Sequence, residues 1–216
     1  MIRFLHVVVC FGLISTAANA DVQHYDLLLG QRQVGTLSFD TDRMDLVTHL
    51  DNTPLGVADG RFTAQSSPAR SAEGTAVTHY LSQSIKRQIS FVLDETKVLT
   101  TSIIPPKEAT PLSQPQAVPA GVIPLTEGFA RLTTTGTCPA PFSAYDGRRV
   151  VHVATRAQFA DGADILCEMD YRVTDGPGHL SPFRFSTLDM ALRYRNGALA
   201  QVTVGAGGFE LQMVRK

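Results

Sequence analysis

The sequence predicts an all-β fold with minor helical content: an antiparallel curved sheet or partly closed β-barrel of about ten strands, with one short helix and one disulfide. Three observations predict it. Apolar residues recur with a period close to two along most of the chain, as they do in strands with one buried face. Clusters of Gly, Asn, Asp and Pro interrupt these runs at short intervals. Two cysteines, Cys138 and Cys167, flank a hairpin-like Tyr145-Asp146-Gly147-Arg148-Arg149 turn and a valine-rich strand.

The chain opens with one positive charge in Met1-Ile2-Arg3, an apolar run from Phe4 to Ile14 broken only by His6, and small or polar residues from Ser15 to Ala20. This is the pattern of a secretory signal peptide with Ala18-Asn19-Ala20 as its cleavage site. The mature domain is therefore expected to span 21–216 and to be periplasmic, with cleavage after Ala20. No later stretch approaches the roughly 18 uninterrupted apolar residues of a spanning helix, so no transmembrane segment is expected in the mature chain. Cys10 lies within the signal behind Val9, which does not suit lipoprotein processing, and no lipid anchor is assigned. Cys138 and Cys167 are then the only mature cysteines, and an oxidising compartment is expected to pair them. Closing a loop of about 30 residues stabilises a fold by roughly 3–4 kcal/mol in the chain-entropy account.

With the signal removed, the chain loses Arg3, and the balance of 19 basic to 20 acidic residues becomes 18 to 20. A near-neutral chain without a basic run is a poor partner for nucleic acid or an anionic membrane surface. Tryptophan is absent and aromatic residues make up 7% of the chain, which disfavours a stacking platform for sugars or bases. About 196 mature residues suffice for one substantial core.

In chain order, Tyr25, Leu27 and Leu29 lead into Gly30-Gln31-Arg32-Gln33, and Gly35, Leu37 and Phe39 return with one parity, giving an opening hairpin. Leu46, Thr48 and Leu50 mark the next strand, ended by Asn52-Thr53-Pro54-Leu55-Gly56. Phe62 and Ala64, then Val77, His79 and Leu81, mark two strands around a polar loop from Ser66 to Gly74. Ile85, Ile89, Phe91 and Leu93 share one face, with Lys86, Gln88 and Ser90 on the other, as in a sheet with one wet side. After Val98 to Ile104 come Pro105, Pro106, Pro111, Pro115, Pro119 and Pro124, and prolines cannot donate to a ladder. This stretch reads as a long loop lying on the same domain, with Leu112, Val118, Val122 and Ile123 to bury. Pro124 suits a helix start, and Leu125, Phe129 and Leu132 follow at helical spacing, although Gly128 weakens the helix.

Beyond Cys138, Phe142 to Tyr145 meets Asp146-Gly147, a two-residue hairpin signal, and Arg148 to Arg156 returns with Val151 and Val153 on one face. Ile165, Cys167, Met169, Tyr171 and Val173 form a strand of one parity. Three closing strands follow, separated by Asn196-Gly197 and the glycine-rich Gly205 to Gly208.

These elements, in this order, resemble a family of uncharacterised exported proteobacterial proteins that share a domain of unknown function. The resemblance rests on Tyr25-Asp26-Leu27 with Gly35-Thr36-Leu37, Pro124-Leu125-Thr126, Cys138 ahead of Tyr145-Asp146-Gly147-Arg148-Arg149, Cys167 on the following strand, and the hairpin finish. It covers nearly the whole mature chain. It implies a periplasmic, β-rich, single-domain fold with a Cys138–Cys167 bridge, and no reaction. More distantly, the architecture is similar to the half-open barrels of periplasmic lipoprotein carriers, which hold acyl chains in a curved sheet.

The polar residues form no recognisable catalytic pattern. His24, His49, His79, His152 and His179 lack the close spacing of zinc ligands, and only His24, His49 and His79 are placed to converge across strands. There is no Gly-x-Ser-x-Gly elbow, phosphate loop or Cys-x-x-Cys pair. Arg148 and Arg149 are tempting anion ligands, but on a strand they point to opposite faces and are expected to meet solvent or a carboxylate. Asp161, Asp164, Glu168 and Asp170 give a modest acidic cluster. No catalytic residue, cofactor or metal site is assigned, and an enzyme is the least favoured reading. The leading expectation is a binding or carrier module for an apolar or lipid-like ligand, with Ile85, Ile89, Phe91 and Leu93 as candidate ligand-facing residues. The alternative is an envelope-protein interaction through a sheet edge or the proline-rich loop.

Overall fold

The computed structural model describes residues 22–51, 53, 59–95, 97–179 and 184–216; the signal-peptide reading and its Ala20 cleavage site lie outside them. The alternation seen in the sequence becomes one continuous sheet. Its first half is β1 (Val22–Leu29), β2 (Arg32–Asp40), β3 (Asp45–Leu50), β4 (Gly60–Arg70), β5 (Ala76–Ser84), β6 (Gln88–Leu93) and β7 (Val98–Ile104). The second half is β8 (Ile123–Pro124), β9 (Phe142–Tyr145), β10 (Val150–Asp161), β11 (Asp164–Asp175), β12 (Thr187–Arg195), β13 (Ala198–Ala206) and β14 (Phe209–Arg215). Fourteen strands, against about ten expected, are found among the described residues, and the two-residue β8 joins the ladder beside β9.

Strand order is β7-β6-β5-β4-β3-β2-β1-β14-β13-β12-β11-β10-β9-β8, so sequential neighbours pair as a meander and β1 meets β14 at the centre. Tyr25 stands opposite Arg215 and Leu27 opposite Met213, which ties both ends of the domain into the middle of the sheet. Every pairing between named strands is antiparallel except β8 with β9, which are joined by the helix α1 (Leu125–Thr134), the kind of crossover that parallel strands need. The curved sheet does not close, and its free edges are β7 and β8.

Helix α1 fills the concave side. It follows Pro124 and runs through Leu125, Phe129 and Leu132, as their spacing predicts. The Phe129 ring meets Phe39 edge-on at 5.0 Å and Tyr25 at 6.3 Å, so one side chain joins two core clusters. One cluster surrounds Tyr25, Leu27, Met169, Leu192, Tyr194, Leu199 and Met213; the other surrounds Phe39, Ala64, Tyr80, Phe91, Leu93, Val98 and Tyr145. Tyr194 donates to the Leu132 carbonyl at 2.8 Å, and the Ser66 and Thr126 hydroxyls bond at 2.5 Å in the interior. Gly128 has a packing reason for being glycine: a Cβ there would stand 3.0 Å from the Phe142 ring. The side-chain-free turn lets the helix lie against β9.

The proline-rich crossing between β7 and β8 contains three single 3₁₀ turns, Pro106–Glu108, Pro111–Ser113 and Pro115–Ala117, which lie along β7. It buries Leu112, Val118 and Val122. A sheet edge is thereby covered by backbone that cannot itself extend the ladder. The crossing is fastened to the loop between β9 and β10. Tyr145 donates to the carbonyls of Leu112 at 2.6 Å and Gly147 at 3.0 Å. Ser113 donates to the Gly147 carbonyl at 3.1 Å and Thr110 to that of Arg148 at 2.8 Å.

Two local expectations are corrected. The β9–β10 hairpin has a four-residue loop, Asp146 to Arg149, because Val150 pairs with Tyr145. The Asp146 carboxylate accepts the backbone N–H groups of Arg148 and Arg149, each at 2.9 Å, and holds both arginines off the strand. The strand β4 also runs on through Ser66 to Arg70, where a loop was expected, since Ser66 to Arg70 find ladder partners in Tyr80 to Ala76.

Cys138 and Cys167 form the disulfide, with Cα atoms 5.6 Å apart, and link the segment after α1 to β11 inside the first core cluster. Replacing both by alanine is expected to lower the unfolding free energy by about 3–4 kcal/mol in urea melts. Reductant should shift the wild type toward the variant and leave the variant unmoved; a wild type indifferent to reductant would contradict a stabilising bridge.

Candidate functional site

The Asp146–Arg149 loop reaches across the open seam to β6. Gly147, at φ +92°, brings its backbone so close to Ile89 that a Cβ would fall 2.2 Å from Ile89 Cγ2. This contact places two adjoining cavities at one end of the sheet. The first, about 450 Å³, is lined by Leu50, Phe62, Ile85, Arg148, Arg149 and Pro177 among others. The second, about 480 Å³, is lined by Phe62, Tyr80, Ile89, Leu125, Arg149 and His179 among others. They share Phe62, Ser84, Arg87 and Arg149.

The electrostatics are one-sided. Arg61, Lys86, Arg87, Arg148, Arg149 and Arg184 line the first cavity, against one carboxylate, Asp59, which accepts from Thr53. Glu108 from the crossing takes part of this charge, standing 3.4 Å from Arg87 and 3.6 Å from Arg148. Arg148 also donates from Nε to the Glu108 carbonyl at 2.7 Å. Burial and then the neighbouring Arg87 pull the Arg148 guanidinium below its ordinary value, the mark of crowded positive charge.

Arg149 is the most enclosed of these cations, only 8% exposed. Its Nε faces Asp146 Oδ2 at 2.9 Å, an ion pair without hydrogen-bond geometry, and its Nη1 has no partner among the described residues. Tyr80 is buried and stacks on Phe91 with centroids 4.5 Å apart, and Phe91 meets Tyr145 at 4.9 Å. The Tyr80 hydroxyl is also without a hydrogen-bond partner. Burial drives its phenol pKa up, against a smaller opposing pull from the Ser82 hydroxyl, which stands near it but outside hydrogen-bond geometry, so the group stays an O–H donor. His179 bonds through Nε2 to the Tyr171 hydroxyl at 2.8 Å. Burial first, then the charge of Arg149, push its pKa down to about 4, with Asp146 opposing.

The candidate ligand-facing residues divide. Ile85 is 84% exposed at the β5–β6 turn and lines the first cavity, while Ile89 lines the second. Phe91 and Leu93 point into the core and line neither cavity. His24, His49 and His79 lie exposed on β1, β3 and β5 and do not converge; His49 pairs with Asp51 at 2.9 Å. No group of three His, Cys, Asp or Glu side chains among the described residues is placed to hold a metal ion. The acidic cluster disperses into ion pairs: Asp161 and Asp164 with Arg193, Asp164 with Arg195, Glu168 with Arg156, and Asp170 with Arg172.

Sequence reasoning missed Tyr80, Arg149 and His179 as one group. Their alignment depends on the long-range meeting of β5, the β9–β10 loop and the segment after β11. Comparison with protein-family models, with curated proteins and with solved structures finds no match to this chain.

His179 supplies a pH test. Its folded pKa of about 4 lies below the ordinary value of 6.5, so the neutral form is favoured by folding. The stability this contributes is present above 6.5 and is lost as pH falls toward 4. Between pH 7 and pH 5 the wild type is expected to lose about 2 kcal/mol more than His179→Gln. Equal losses in urea melts of the two proteins would contradict the buried neutral imidazole.

Proposed function

We propose that the protein is a periplasmic, non-enzymatic binding or carrier module for an amphiphilic, lipid-like ligand. The observation that supports it is the pair of adjoining cavities at the mouth of the sheet, each of small-molecule size, with Leu50, Phe62, Ile85, Ile89, Leu125 and Pro177 beside a rim of arginines. The interior of the sheet is filled by α1 and two core clusters, so the ligand belongs at the mouth rather than along the sheet. Export is the reading of residues 1–20, and a paired Cys138–Cys167 accords with an oxidising compartment.

The other reading, an envelope-protein contact through the proline-rich crossing, has less support. Thr110 and Ser113 are bonded to the β9–β10 loop, and Leu112, Val118 and Val122 are buried.

Ile85→Asp tests the reading, because this exposed side chain contributes little to folding yet lines a cavity. The variant is expected to keep its thermal midpoint and to bind a fluorescent fatty acid about tenfold more weakly than wild type in titration. Failure of the wild type to bind any acyl probe saturably would overturn it.

A further inference from the structure

Two residues that line the second cavity carry buried polar atoms without hydrogen-bond partners among the described residues: Arg149 Nη1 and Tyr80 Oη. Buried donors are nearly always paired in folded proteins, and an enclosed guanidinium that is only partly neutralised is costly to keep. The nearby carboxylate cannot complete the set. Asp146 Oδ1 is taken by the Arg148 and Arg149 backbone N–H groups, and Oδ2 faces Arg149 Nε. His179 is committed to Tyr171, and it is neutral, so it adds no competing charge.

We propose that Arg149 and Tyr80 are the anchor for an oxyanion head group, a carboxylate or a phosphate monoester, on a ligand whose apolar part lies against Phe62, Ile89 and Leu125. This deepens the binding-module reading and rests on it. A guanidinium edge and a phenol O–H are both donors, and together they suit an acceptor with more than one oxygen. The surrounding cations favour a negative charge over a neutral acceptor and repel a cation. Stacking on Phe91 fixes the Tyr80 ring, and the Asp146 pair fixes Arg149, so the two donors are held before the ligand arrives.

The test is calorimetric titration of the oxidised mature chain with octanoate, octyl phosphate and octanol. Either anion is expected to bind about tenfold or more tightly than octanol, and which anion binds better separates a fatty-acid source from a phosphate-ester source. Arg149→Gln should lower the anion affinity about tenfold or more and the octanol affinity far less. Tyr80→Phe, which removes only a hydroxyl, should lower anion affinity about three- to fivefold without lowering the thermal midpoint, so it keeps the test valid if Arg149→Gln fails to fold.

Equal binding of the three compounds by wild type, or anion affinity unmoved by Tyr80→Phe, would overturn the anchor while octanol binding upheld the module. Arg149-dependent binding of butyrate or inorganic phosphate, with no gain from an octyl chain, would uphold the anchor and overturn the lipid-like reading. Absence of binding by every compound would overturn both.

Discussion

Gly147 sets its bare Cα against Ile89 of β6, while its carbonyl accepts the hydroxyls of Tyr145 and Ser113. These contacts join β6, which lies one strand in from the β7 edge, to the proline-rich crossing and the β9–β10 loop, although no strand pairing links the two ends of the sheet. Closing a barrel by hydrogen bonds demands a particular tilt and register of every strand. Here the seam stays open and is bridged by a loop, a covering chain and one buried tyrosine instead. The rest of the ladder is then free to curve around α1.

The same arrangement explains why polar chemistry collects at one end. A loop that must reach β6 carries Asp146, Arg148 and Arg149 inward with it, and the carboxylate of Asp146 is used up in shaping the loop. Arg149 is thus buried as a consequence of closure, with one edge of its guanidinium neutralised and another left over. Glu108 moderates the cations nearer the rim, where Arg87 and Arg148 remain partly exposed. The field at the mouth is positive although the chain as a whole is slightly acidic. Net charge alone argues against an anionic partner; its distribution points the other way.

Much of the sheet was legible because its rules are local. The parity of Ile89, Phe91 and Leu93 predicts their burial, the Pro124 start and helical spacing predict α1, and the two cysteines flanking the Tyr145–Arg149 turn predict the bridge. Parity fails where neighbours are misleading. Val77, His79 and Leu81 suggest one face of β5; Val77 is buried, but further along it is Tyr80 and Ser82 that turn inward, and Leu81 stays 38% exposed. The Arg148 and Arg149 alternation assumes a strand, and the Asp146 turn makes a loop of them. No local pattern brings Arg149 and Tyr80 to one cavity, since that depends on how β5 and the β9–β10 loop meet once the meander is complete.

The closure at Gly147 is tested most directly by a double-mutant cycle with Gly147→Ala and Ile89→Ala in denaturant melts. Strain from an alanine at φ +92° is common to both backgrounds and cancels, so the coupling reports the contact alone. The account predicts that Gly147→Ala costs at least about 1 kcal/mol less in the Ile89→Ala background than in the wild type. A coupling within about 0.5 kcal/mol of zero would contradict the Gly147–Ile89 contact as what packs the loop across the open seam.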